Sequence, residues 1–304
     1  MNSISSCKRG TERPRVAAFL AAYVFIVMAA VVVVVAPVYV GTDPGYLTWL
    51  TFVFQWTPFL VVVLLHVLHR TRHRGESIGR GDWKLWSAAA VEVRGRGSLI
   101  LRVCLLSLGA LLVLSIVPLL LSAAMGFVYI RVADGAAIPV LLTLPVVVLL
   151  MIPVAGEELA WRGYLTTLLA PRGFAVTTAL IGAVWAAWHV PLTMAFVVAG
   201  VSDTREVVAK TIDLLFAAVL LSALRYLSQS VWPAVFAHSL FNNLFQMVQS
   251  NFMGPISELS DAAYWGYMAI SWAAWIVVDV LLVVAVMRRN RGVLADSAPA
   301  LTKL

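Results

Sequence analysis

Three polar constellations interrupt runs that are otherwise apolar. The first run, PVVVLLMIPVAGEELAWRGYLTTLLA, carries Glu157, Glu158 and Arg162; the second, WAAWHVP, carries Trp185 and His189; the third, AHSLFNN, carries His238, Asn242 and Asn243. An ionised side chain in hydrocarbon costs at least about 2.5–3.5 kcal/mol even on lenient insertion scales, so each charge must face a partner, water or a functional site. On a helix Glu158 and Arg162 share a face and can pair, with the acid on the favourable N-terminal side. Glu157 points about 100° away and is left to face a neighbouring helix. His238 and Asn242 have the same four-residue spacing and offer an imidazole and an amide to one cleft. His189 stands one turn after Trp185, so a base and an aromatic wall line one face.

The chemistry this set suits is hydrolysis. A Glu and a His within hydrogen-bond reach of one water can remove its proton and so supply the nucleophile. A second His and an Asn amide one helical turn apart can donate to the oxyanion that develops at a peptide carbonyl. A rival reading gathers Glu157, His189 and His238 into a two-His-one-carboxylate zinc site with water in the open position. The chain has no H-E-x-x-H, and a metal would occupy the carboxylate that otherwise acts as base. Chemistry without a cofactor is therefore preferred, with zinc or another divalent metal as the alternative.

Other polar residues have plainer readings. A single intramembrane His is often a helix-packing hydrogen bonder. Glu158–Arg162 reads as a structural pair supporting the site, and Asn243 as a bystander beside Asn242. His66, His69 and His73 read as solvated residues at a membrane edge, and Asp279 is an acid in the last apolar run with no evident partner.

Such residues need membrane-embedded elements to hold them. Of 304 residues, 62% are hydrophobic and 12% charged, which excludes a water-soluble globule, a disordered chain and, with two cysteines, a disulfide scaffold. The net charge of +7 does not point to nucleic acid, because the basic residues fall between apolar runs rather than along one face. Runs long enough for a bilayer core of about 30 Å lie near 16–40, 46–68, 99–130, 138–169, 174–198, 211–228, 231–250 and 263–287. The expectation is an all-α polytopic membrane protein of about eight transmembrane helices, the third and fourth runs being too long for single straight spans. Placing both termini in the cytoplasm leaves only Arg131, Arg205 and Lys210 on the outer side, as the positive-inside rule requires. The basic loop 69–97, with Trp83 and Trp86, could rest on an anionic leaflet or be simply solvated.

Relative depth follows from the turn at Pro171-Arg172-Gly173. Glu157 and His189 stand roughly 21 and 24 Å from it, so an antiparallel hairpin brings them to one level. His238 is only about 10 Å into its own run, which puts a common site nearer the inner face.

Read in order, EELAWR at 157–162, WAAWH at 185–189 and HSLFN at 238–242 resemble the CPBP family of CAAX proteases and bacteriocin-processing proteins, also called the Abi family. Its pattern is E-E-x-x-x-R, F-x-x-x-H and H-x-x-x-N on successive membrane helices, with Trp185 standing where Phe is commonest. The resemblance spans about 140 to 245 and says nothing of 1–135. It implies a CAAX-protease-like helical bundle with a core at 136–250, preceded by an N-terminal transmembrane region at 1–135 and followed by a last helix and basic tail at 251–304. It further implies an intramembrane endopeptidase in which Glu157 and His189 activate water, His238 and Asn242 hold the oxyanion, and Glu158, Arg162 and Trp185 support them. The partners would be the bilayer and a peptide or membrane-tethered protein substrate. The excess of Arg over Lys, with abundant Ala and Val, fits a GC-rich bacterial gene and hence a bacterial plasma membrane. A pheromone precursor, bacteriocin or envelope protein then suits better than a prenylated CAAX protein. Two other classes compete: a non-catalytic scaffold or immunity protein of the same fold, which should have lost a motif residue, and a transporter, which should show an inverted repeat.

Overall fold

The computed structural model describes residues 3–72 and 84–301. In chain order its helices are α1 (Ser3–Tyr39), α2 (Gly45–Phe54), α3 (Thr57–Arg72), the single turn α4 (Leu85–Ala88), α5 (Gly97–Ala124), α6 (Ala137–Glu158), α7 (Thr166–Leu169), α8 (Phe174–Val198), α9 (Thr204–Ser228), α10 (Trp232–Phe252) and α11 (Asp261–Leu301). A π-helical stretch, Leu159–Leu165, joins α6 to α7. Extended pairing among the described residues is limited to one isolated antiparallel bridge, Ile130 with Met253. The protein is all-α.

Among the described residues, 7 helical stretches are long and apolar enough to cross a membrane. They cover the expected runs with one exception. The run at 231–250 folds as α10, whose 21 residues would span about 30 Å, but its Ser, His, Asn and Gln residues make it too polar to qualify by composition. The run at 46–68 is two helices rather than one: it breaks at Gln55–Trp56, because Pro58 lacks the N–H a helix interior needs and suits the first turn of a new helix. The run at 99–130 is helical only to Ala124, after which the chain leaves to pair Ile130 with Met253. The run at 138–169 stays helical but changes its winding at Leu159. Charge sets one start: Asp203 accepts the Arg205 N–H at 2.8 Å and gives its own N–H to Glu206 at 3.4 Å, a capping box that opens α9.

The chain forms two compact units, Met1–Glu92 with Ile152–Leu214, and Val93–Met151 with Leu215–Leu304. In the first, α1 packs on α8 and α3. Its buried residues Phe19, Tyr23, Val27, Val31 and Val35 recur every four positions, one ridge of a helix turned inward while Phe25 and Val33 are left for lipid. The basic loop belongs here too. Its residues 73–83, including His73, Arg74, Arg80 and Trp83, lie outside the described residues. Trp86 is exposed, but Ala88, Ala89 and Ala90 are buried, and Thr167 donates to the Ala88 carbonyl at 2.7 Å. This end of the loop is therefore a packing element and not a solvated strap. His66 is corrected in the same sense: it is buried on the inward face of α3, its Nδ1 2.9 Å from the Tyr164 hydroxyl.

In the second unit α5 packs on α10 and α11. Trp275 stacks on Phe216 and Phe245 and meets Phe241 edge-on. One turn further along α11, Asp279 is buried at 6% exposure, and neither carboxylate oxygen has a hydrogen-bond partner among the described residues. An unmatched polar group in such a place costs roughly 1–3 kcal/mol. Asp279→Leu is accordingly expected to raise the thermal unfolding midpoint of the detergent-solubilised protein, and a lowered midpoint would show that the carboxyl does structural work.

Candidate active site

The first unit carries five of the seven residues singled out in the sequence. α6 delivers Glu157 and Glu158 at its last turn, and the winding then loosens into the π stretch, every residue of which is buried. π turns inside α-helices occur mostly at functional sites. Two glycines let other backbone come against this segment. A Cβ on Gly156 would lie 2.5 Å from the Trp56 Cα and 2.6 Å from the Gln55 carbonyl oxygen, and one on Gly163 would lie 2.6 Å from the Ala89 carbonyl oxygen. The break between α2 and α3 thus sits against Gly156, and the buried end of the loop against Gly163. Thr166 completes the π geometry by donating its hydroxyl to the Trp161 carbonyl five residues back, at 2.9 Å. At the far end the chain reverses through a 3-10 turn, Ala170–Arg172, and Gly173, whose φ of +84° suits glycine.

Trp185 links the polar residues. Its indole N–H donates to a Glu157 carboxylate oxygen at 2.8 Å, its ring face carries the Arg162 guanidinium at 4.2 Å, and its carbonyl bonds His189 Nδ1 at 2.9 Å. Arg162 also pairs with Glu158 at 2.9 Å, both side chains fully buried. A carbonyl oxygen can only accept, so His189 Nδ1 bears the proton, and in the neutral ring Nε2 is the basic nitrogen. Glu157 itself is buried. Arg162 and Lys210 both place positive charge within electrostatic reach of it. Charge counting had put Lys210 in an outer loop, but it stands in the second turn of α9. Within this unit, no third His, Cys, Asp or Glu joins Glu157 and His189 in a metal-holding group among the described residues.

Trp185 does more than wall the site. Phenylalanine would keep the ring and lose the N–H, so the exchange is not chemically neutral here. A hydrogen bond to a charged group contributes about 1.5–3 kcal/mol. If Glu157 and His189 activate water as their residue types allow, Trp185→Phe is expected to accumulate normally while hydrolysis falls roughly tenfold or more; an unchanged rate would mean that the indole acts only by packing.

Around His189 and Glu157 lies an aromatic frame that the sequence did not single out. Trp188 meets His189 edge-on at 4.9 Å and stacks on Phe54 at 5.2 Å; Trp161 lies 6.4 Å from Trp188 and 5.3 Å from Tyr23. Tyr23 is also within electrostatic reach of Glu157. The one sequence signal for Tyr23 is its place on the four-residue stripe of α1.

His238 and Asn242 belong to the second unit, one turn apart on α10. His238 is buried and Asn242 half-buried. The Ser239 hydroxyl donates to the Val147 carbonyl of α6 at 2.7 Å, which fixes this part of α10. Asn243 turns its amide N–H back to the Ser239 carbonyl at 2.7 Å and, with Gln246, Ser250 and Asn251, forms one wall of a groove of about 330 Å³ whose other wall is Pro139, Leu142, Thr143 and Val146. Asn243 is thus a groove residue as well as Asn242's neighbour.

Residues 138–244 match the protein-family model described as type II CAAX prenyl endopeptidase Rce1-like. The matched stretch includes Glu157, Glu158, Arg162, Trp185, His189, His238 and Asn242. No curated protein matches the chain.

Proposed function

We propose, for a chain whose residues 138–244 match the Rce1-like model of type II CAAX prenyl endopeptidases, that it hydrolyses a peptide bond of a peptide or membrane-tethered protein with water activated by Glu157 and His189. The observation that carries this reading is the Trp185 hub: one residue holds the Glu157 carboxylate by its indole N–H while its backbone carbonyl fixes the His189 tautomer. Glu157 takes a proton from water, the hydroxide adds to the scissile carbonyl, and the proton passes to the departing amine as the C–N bond breaks. His238 and Asn242 are the donors assigned to the oxyanion, by their place in the family pattern and by the chemistry of an imidazole and an amide one turn apart. Glu158 and Arg162 hold the charge balance around Glu157.

Zinc remains the rival chemistry, with Glu157, His189 and His238 as its ligands. The surroundings of Glu157 favour the metal-free form: one oxygen is already engaged by the indole, and two cationic side chains act on the carboxylate, so a dication would meet unscreened repulsion. Both termini are assigned to the cytoplasmic side, and a bacterial plasma membrane is the proposed location.

The test compares new peptide termini in membranes carrying the wild-type chain with those carrying Glu157→Gln, in water enriched in 18O. The reading expects substrate C-termini that hold 18O only with the wild type, and the same yield after treatment with a strong chelator. Loss of cleavage on chelation, with recovery on adding zinc, would replace the glutamate mechanism by the metal one.

A further inference from the structure

Three hydrogen-bond donors of the aromatic frame are buried and have no partner among the described residues: the Tyr23 hydroxyl, the Trp161 indole N–H and the Trp188 indole N–H. Their side chains are 0%, 0% and 3% exposed. They form one connected group, Tyr23 edge-on to Trp161 and Trp161 beside Trp188. Both ends of this group reach the polar centre: Tyr23 lies within electrostatic reach of the Glu157 carboxylate, and Trp188 meets the His189 ring. Buried donors are almost always satisfied in folded proteins, by protein or by internal water. Three orphan donors beside a carboxylate and an imidazole therefore define what their ligand must be: a small molecule that accepts from indole N–H and phenol O–H and donates to a carboxylate or to His189 Nε2. Neither a cation nor an apolar group meets that requirement. Water does: a pair of molecules offers enough lone pairs for all three donors and still turns protons toward the base.

We propose that Tyr23, Trp161 and Trp188 form an internal water site that holds the hydrolytic water for Glu157 and His189. The inference rests on the peptidase reading for its purpose, but not for its existence. It assigns a role to α1, which lies outside the matched residues 138–244, and it answers a requirement of that reading: Glu157 is 1% exposed, so a nucleophile must be held where bulk solvent does not reach. Orphan donors are suited to this, since a water bound by N–H and O–H groups keeps its own protons available to a base.

The full-length protein in lipid nanodiscs is exposed to millisecond X-ray radiolysis, in which bound water generates hydroxyl radical in place, and oxidation is read residue by residue. Tyr23, Trp161 and Trp188 are expected to oxidise within about tenfold of the exposed Trp49, whereas Tyr164, equally buried but bonded to His66, stays protected. In parallel, Tyr23→Phe removes a hydroxyl with no hydrogen-bond partner among the described residues, so abundance and unfolding midpoint should hold, while kcat falls about tenfold with KM unchanged. Protection of all three residues at the Tyr164 level overturns the water site. Full kcat in Tyr23→Phe, with Glu157→Gln inactive, overturns its catalytic purpose and leaves the peptidase reading standing. Cleavage that survives Glu157→Gln removes the peptidase reading instead, whatever the labelling shows.

Discussion

Glu157→Gln is expected to lower turnover by about a thousandfold or more while leaving the protein in the membrane at wild-type abundance. General-base catalysis contributes roughly 10²–10⁴-fold, and the proposed base is also the group on which the indole, the guanidinium and Lys210 act. The amide is nearly isosteric and can still meet the indole N–H through its oxygen, so packing survives and the loss is chemical. His189→Ala is expected to fall in the same range. The measurement is single-turnover cleavage of a substrate identified by terminal proteomics, with the variants purified in parallel. A Glu157→Gln enzyme within tenfold of wild type would remove Glu157 from the role of base.

Gly156→Ala is expected to destabilise the fold by about 3 kcal/mol, the upper end of what overpacking typically costs. In an exposed helix the same change would help by close to 1 kcal/mol. What reverses the sign is the contact partner. The added methyl would meet the Trp56 Cα and the Gln55 carbonyl oxygen, both main-chain atoms, and backbone cannot swing aside as the end of a side chain can. Relief would require α6 to move away from the α2–α3 break, next to Glu157. The check is abundance in membranes and the unfolding midpoint in detergent. Gly109→Ala, a helical position whose added Cβ meets nothing within 4 Å, serves as the control and should be neutral or slightly stabilising. Normal behaviour of Gly156→Ala would mean that the approach of the two backbones is not required.

Much of this was legible in the residues. Charges within apolar runs marked out a candidate site because lipid offers them no partner, and four-residue spacing alone placed Arg162 on Glu158. The helical class and the turn at Pro171-Arg172-Gly173 followed from run length and from proline and glycine chemistry. What escaped had no periodic signature. A π stretch has no residue code of its own, and Gly163 and Thr166, which accommodate it, read equally well as ordinary helix. Ala88, Ala89 and Ala90 looked like part of a surface loop because arginines flank them, yet burial was decided by a glycine far along the chain. Trp185 was legible as an aromatic ring but not as a donor, since which edge faces Glu157 depends on how α8 is rotated against α6. Compactness also groups the chain differently from chain order, pairing residues 1–92 with 152–214, and no local pattern reports that.

The loosened winding between Leu159 and Leu165 has an implication for how this hairpin tolerates insertions and deletions. A π stretch bonds each N–H to a carbonyl five residues back, so it holds one residue more than α winding would. Deleting a single residue there need not break the helix; it would let the rod close up into regular α. Everything beyond would then keep nearly the same phase relative to the two glutamates, because the residue removed is the one the wide turn had absorbed, and Thr167 would still face the Ala88 carbonyl. A deletion in the regular winding on either side would instead turn everything beyond it by about 100°, so the loosened stretch is where this rod can lose a single residue and still form the same hairpin.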